Sequence, residues 1–171
     1  VTYQQIVDIV QTEFVNPRLA QLSVLYKLGV SIHSARFYLT NKALLAQDPS
    51  TLSVENQKKR LEVEAFSNEL TKLSATFSTP VAQLEASLQA IPLAEILELA
   101  DPDAGCNFDL TTLRYADGSN ADPIAFLRIN FFVRLWRKLG WTIEESDRAL
   151  STFIPKSAPY NNVAANLNKQ P

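Results

Sequence analysis

Apolar residues recur at three- and four-residue spacing along most of this chain, the period of an α-helix with one face turned to a core. Tyr3, Ile6, Val7, Val10 and Phe14 share such a face, Thr2 and Gln5 form a capping box before it, and Asn16-Pro17 ends it because proline disfavours the α conformation in the preceding residue. Leu19, Leu22, Leu25 and Leu28 mark a second helix from about Pro17 to Leu28, stopped by Gly29. Ser31 caps a third, with Ile32, Ala35, Leu39 and Ala43 inward, ending near Asp48-Pro49. The longest helix runs from Val54 to Phe77. Its expected inner face is Val54, Leu61, Ala65, Leu70, Leu73 and Phe77, while Glu55, Lys58, Lys59, Arg60, Glu62 and Glu64 crowd a solvated side. Thr79-Pro80 opens another, with Val81, Leu84, Leu88 and Ile91 inward, and Pro92 separates it from a short helical segment ending near Ala100.

The pattern breaks between Asp101 and Ala121. D-P-D-A-G-C-N-F-D (101–109) is turn chemistry, and the alternation of Phe108, Leu110 and Thr112 reads as a short extended piece or hairpin arm before an Asp117-Gly118 turn. Helical spacing returns from Asp122 to Phe153 as two helices joined by a tight turn. Asp122-Pro123 starts the first, Gly140 ends it, and Thr142 with Glu145 makes the capping box of the second. The first of the pair is apolar on most of its circumference: Ile124, Leu127, Phe131, Leu135 and Leu139 form a stripe, flanked by Phe126, Ile129, Phe132, Val133 and Trp136. Burial of each large side chain contributes roughly 1.5–3 kcal/mol, so this helix is expected at the centre of the packing. Pro155 and Pro159 close the helical run, and Val163, Ala164, Ala165 and Leu167 begin what reads as a further helix. K-L-G-V-S-I (27–32) echoes K-L-G-W-T-I (138–143). Shared turn chemistry explains the echo better than duplication, because two copies fall short of a repeat array.

Composition narrows the class. The chain has 171 residues and 46% apolar content, enough for one domain with a substantial core. The expectation is an all-α array of antiparallel helical hairpins (1–100), an irregular excursion (101–121), a helical hairpin (122–153) and a tail (154–171). A net charge of −2 and a pI near 5.4 give no overall footprint for nucleic acid or an anionic membrane. The hairpin at 122–153 resembles a helix-turn-helix in outline only, since Glu144, Glu145 and Asp147 would face phosphates. Arg128, Arg134, Arg137 and Lys138 are expected to complement the helix C-terminus, pair with those acids or fasten the hairpin to a neighbour. No apolar run is long enough to span a bilayer. With no methionine and a first residue that leads straight into a helix cap, the chain is expected to be a piece of something longer.

Candidate chemistry is sparse. The single cysteine, Cys106, excludes an internal disulfide and a cysteine-based zinc cluster. The single histidine, His33, falls on the first turn of the third helix, and pairing it with Cys106 would require the long loop to fold back. Asp101, Asp103, Asn107 and Asp109 form an oxygen-rich cluster, but its spacing departs from the EF-hand loop and suits loop capping better. Tyr115 and Tyr160, on irregular segments, are the candidates for an exposed aromatic platform in a binding module. No catalytic, cofactor or metal site is assigned.

Two stretches carry a family resemblance. F-F-V-R-L-W-R-K-L-G-W-T-I-E-E-S-D-R-A-L (131–150) resembles a segment of the A component of insecticidal toxin complexes (Tc toxins), a family related to Salmonella plasmid virulence A proteins, where an F-I-R-L-W-R-K-L-G-W-S-I-x-E-L-D-R-A-I type of sequence recurs. T-Y-Q-Q-I-V-D-I-V-Q-T-E-F-V-N-P (2–17) is similar to a stretch that lies upstream in the same proteins. The match departs at Ser146, where the family tends to carry leucine, and it is thin between Arg18 and Ala104. The resemblance implies a non-enzymatic fragment of the helical shell of a very large, secreted or cell-surface toxin subunit. Such A components form bell-shaped pentamers that bind a host cell surface and make a channel for a toxic enzyme. The implied partners are the rest of the parent chain, neighbouring subunits and a host surface, with no nucleic acid and no membrane span in this segment.

Overall fold

Caps and glycine stops hold in the computed structural model, which describes residues 1–100 and 111–154, whereas Asn16-Pro17 and Asp48-Pro49 lie beyond the α-helices they were expected to end. The chain is predominantly helical. Among the described residues are seven α-helices and one two-stranded sheet, divided between two compact units: Val1–Leu19 with Ala94–Pro171, and Ala20–Leu93.

In the discontinuous unit, α1 (Tyr3–Val10) starts at the Thr2/Gln5 capping box, with both reciprocal bonds made. It ends six residues before Asn16-Pro17, because a side chain described below captures backbone N–H groups that a longer helix would use. β1 (Leu97–Ala100) and β2 (Thr112–Tyr115) pair antiparallel, Leu97 opposite Tyr115 and Glu98 opposite Arg114. This corrects one expectation, since the segment ending near Ala100 is a strand rather than a helix, and it agrees with another, since 112–115 is the extended arm expected before the Asp117-Gly118 turn. The physical reason is non-local. Glu98 meets Arg114 across the pair at 2.7 Å, and the buried Asn16 side chain caps the other edge of β1, donating to Leu97 O (2.8 Å) and accepting from Leu97 N–H (3.2 Å). The turn after β2 is the one read from Asp117-Gly118, with Gly118 at φ 92° and Asp117 accepting from the Ser119 N–H.

α6 (Pro123–Leu139) and α7 (Ile143–Phe153) complete this unit. Asp122 caps α6 through the Ala125 N–H, Gly140 closes it in the left-handed region at φ 68°, and Thr142 and Glu145 form both halves of the capping box of α7. The core gathers Ile9, Val10, Phe14, Val15, Leu97, Tyr115, Ala125, Phe132 and Leu150. The inner side of α6 is therefore Ala125 and Phe132, with Ile129, Val133, Leu135 and Trp136 partly buried against the core. Of the expected stripe Ile124, Leu127, Phe131, Leu135 and Leu139, Leu135 packs against the core, while Leu127, Phe131 and Leu139 are exposed.

In the continuous unit, the expected second helix is a 3-10 turn (Leu19–Leu22) leading into α2 (Ser23–Leu28), closed by Gly29 at φ 67°. α3 (Ile32–Asn41) is capped by Ser31, α4 spans Val54–Phe77 and α5 spans Val81–Gln89. α3 and α5 pack on α4, and α2 packs on α5. The face of α4 differs in part from expectation: Leu70 is buried as expected and Val63 and Phe66 are buried beside it, while Val54, Leu61 and Phe77 are exposed. Phe66 stacks against Tyr38 of α3, with ring centroids 4.9 Å apart, which selects this face over the alternative leucine stripe.

Candidate functional site

The best-built polar arrangement is a latch over the turn that follows α1. Thr12 hydroxyl donates to Ile9 O at 2.6 Å and the Asn16 N–H donates to Thr12 O at 2.9 Å, so the chain turns back on itself. Two N–H groups within this turn point away from it. Asp147, on α7, accepts them both: Glu13 N–H on Oδ2 at 2.9 Å and Phe14 N–H on Oδ1 at 2.8 Å. Arg128 of α6 donates to Phe14 O at 3.0 Å, and its guanidinium carbon lies 5.5 Å from the centroid of the Phe14 ring. Phe14 also meets Phe131 and Phe132, with centroids 6.0 and 6.2 Å apart. The two stretches that carry the family resemblance thus pack against each other, although 133 positions separate Phe14 from Asp147.

Chemically, the latch is a holding device. Both oxygens of Asp147 are engaged by backbone donors, which suits a structural acceptor rather than a general base. Sequence reasoning missed it. The sequence offers Asp147, Glu144 and Glu145 together as partners for the basic residues of α6, whereas Glu144 pairs with Arg148 (2.8 Å) and Glu145 accepts from the N–H and hydroxyl of Thr142. Those bonds hold the Glu145 carboxyl below its usual range. Ser146, the position that departs from the family pattern, is buried, and its hydroxyl has no partner among the described residues.

The residues singled out in the sequence are not brought together. His33 is exposed on α3 at a shallow depression of about 290 Å³, where Glu62 and Glu69 of α4 also lie; it makes no hydrogen bond among the described residues. Tyr115 is 7% exposed, which removes it as an aromatic platform: its strand places the ring in the core with Leu97. Asp101, Asp103, Cys106, Asn107, Asp109 and Tyr160 lie outside the described residues. Among those described, no group of three or more His, Cys, Asp or Glu is arranged to hold a metal ion, and no helix is long and apolar enough to cross a membrane. Tyr38, buried between α3 and α4, donates to Glu85; burial first, then the Glu85 carboxylate, pushes its pKa up to about 12, so the phenol stays neutral.

Exposed surface tells more than cavities do. On α6, Phe126, Leu127 and Phe131 are 54%, 59% and 50% exposed. Leu139, Trp141 and Phe153 are exposed as well, and Trp141 and Phe153 border an open groove of about 390 Å³ along α7 with Glu145, Arg148 and Thr152. Comparison with family models, with curated proteins and with solved structures finds no match to this chain.

Proposed function

We propose that this chain is a non-catalytic structural segment of the α-helical shell of a Tc-toxin-A-like subunit, part of an array of antiparallel helical hairpins in a much larger secreted or cell-surface assembly. Its partners in this reading are the rest of a parent chain and neighbouring subunits of a homo-oligomer, a pentamer by resemblance, with a host cell surface as the eventual target. The observation that carries it is the outward row Phe126, Leu127 and Phe131 on α6. Large apolar side chains exposed together on successive turns of a helix mark a surface that another element covers. The resemblance adds direction, since the exposed row lies partly within, and otherwise just before, the better matched stretch.

A second reading, a self-contained binding module for a surface protein or sugar, draws on the groove between Trp141 and Phe153, where an aromatic face stands beside charged groups. An apolar fluorescent dye separates the two. The shell reading expects dye binding by the folded chain that falls at least several-fold in a Phe126→Ser, Leu127→Ser double variant of unchanged helicity. A folded chain that leaves the dye dark contradicts it and moves the binding module ahead.

A further inference from the structure

We infer that the outer face of α6 seats an acidic amphipathic helix of a neighbouring protein segment, lying antiparallel to α6. This face has two halves. Its N-terminal half presents Phe126, Leu127 and Phe131; its C-terminal half presents Arg134, Arg137 and Lys138, all exposed. At 1.5 Å per residue the face extends about 18 Å from Phe126 to Lys138, some three helical turns.

The three cations are unusual in this unit. Arg18, Arg114 and Arg148 each meet a carboxylate, and Arg128 bonds the Phe14 carbonyl, whereas the side chains of Arg134, Arg137 and Lys138 make no ion pair or hydrogen bond among the described residues. Two of the three, Arg137 and Lys138, sit in the last turn of α6, where the backbone carbonyls already favour positive charge. A helix running antiparallel brings its own N-terminus to that end. Acidic residues in its first turns then gain twice, from its own N-terminal dipole and from the three cations, while its following apolar residues reach Phe131, Leu127 and Phe126. The apolar half offers on the order of 300 Å², a patch of the size that marks interaction sites.

Other anionic partners fit less well. A nucleic acid backbone would match the cations and leave the aromatic half uncovered, and a membrane surface would meet a chain of net charge −2. A protein helix satisfies both halves together. The inference rests on the shell reading for the existence of a neighbour and supplies the chemistry of that contact.

The test uses the full chain and a labelled synthetic peptide of about 18 residues, with glutamates in its first two turns and leucines at three- and four-residue spacing after them. Its counterpart carries lysine at each glutamate. Fluorescence anisotropy at low ionic strength is expected to show the acidic peptide binding at least ten-fold tighter than the lysine peptide. An Arg137→Glu, Lys138→Glu variant, checked by circular dichroism, is expected to lose that preference or reverse it. Equal affinity for the two peptides, or no saturable binding of either, overturns the inference. So does tighter binding to phosphatidylserine vesicles than to the acidic peptide, which would assign the face to a membrane surface. Dye binding without peptide binding removes this inference and leaves the shell reading in place.

Discussion

Two backbone N–H groups, those of Glu13 and Phe14, depend on one side chain from the far end of the chain. Asp147 accepts both, and each is a charge-assisted bond of the kind whose net contribution is about 1.5–3 kcal/mol when shielded from water. The Phe14 N–H is only part-buried and that of Glu13 exposed, so the sum is discounted. Asp147→Ala is expected to destabilise the chain by about 2 kcal/mol, and Asp147→Asn by less because one carbonyl acceptor remains. Urea unfolding followed by tryptophan fluorescence reads this directly, since both tryptophans belong to the same unit as the latch. A shift below about 0.5 kcal/mol for the alanine variant would show that water replaces the carboxylate without penalty. Ser146 teaches the complementary point. Its buried hydroxyl has no partner among the described residues, as expected if an apolar side chain would serve equally well there.

Helix ends were legible in the sequence because the chemistry that makes them is local. Thr2 with Gln5, Asp122 before Pro123, Gly29, Gly140 and Thr142 with Glu145 all act within a few residues, and α4 starts and stops where its pattern says. Helix faces were less legible. α4 and α6 carry apolar residues around much of their circumference, so periodicity alone offers more than one inner face, and the choice falls to a contact such as Tyr38 on Phe66. β1, its pairing with the extended arm at 112–115 and the early end of α1 were not legible, because Asn16, Arg114 and Asp147 act across long sequence separations. At the element scale the α7 cap makes a prediction with a sign. The folded pKa of Glu145 is lowered, first by the Thr142 N–H and then by its hydroxyl, so its contribution is present above the unfolded carboxylate value and is lost as pH falls through the folded value. The stability gap between the natural chain and Glu145→Gln is therefore expected at pH 7 and should close below about pH 4. Thermal unfolding across that range measures it, and a gap independent of pH would mean that the charge of the carboxylate is immaterial to the cap.

Across the whole molecule, the chain leaves and rejoins one of its units: the N-terminal helix packs with the C-terminal hairpin, and the residues of a separate helical unit, Ala20–Leu93, intervene in sequence. The candidate chemistry lies within the discontinuous unit. The hydrogen-bonded latch turns inward, and the charged and aromatic positions of α6 turn outward, which suits a segment whose task is to hold shape and meet neighbours. The most direct check is light scattering of the purified chain over a wide concentration range. Concentration-dependent self-association, suppressed by Phe126→Ser with Leu127→Ser, is the result this account predicts, because an outward apolar face of a shell segment finds a substitute cover in a second copy. A strict monomer at every concentration, unaffected by the double variant, would contradict the claim that the α6 face is an interface.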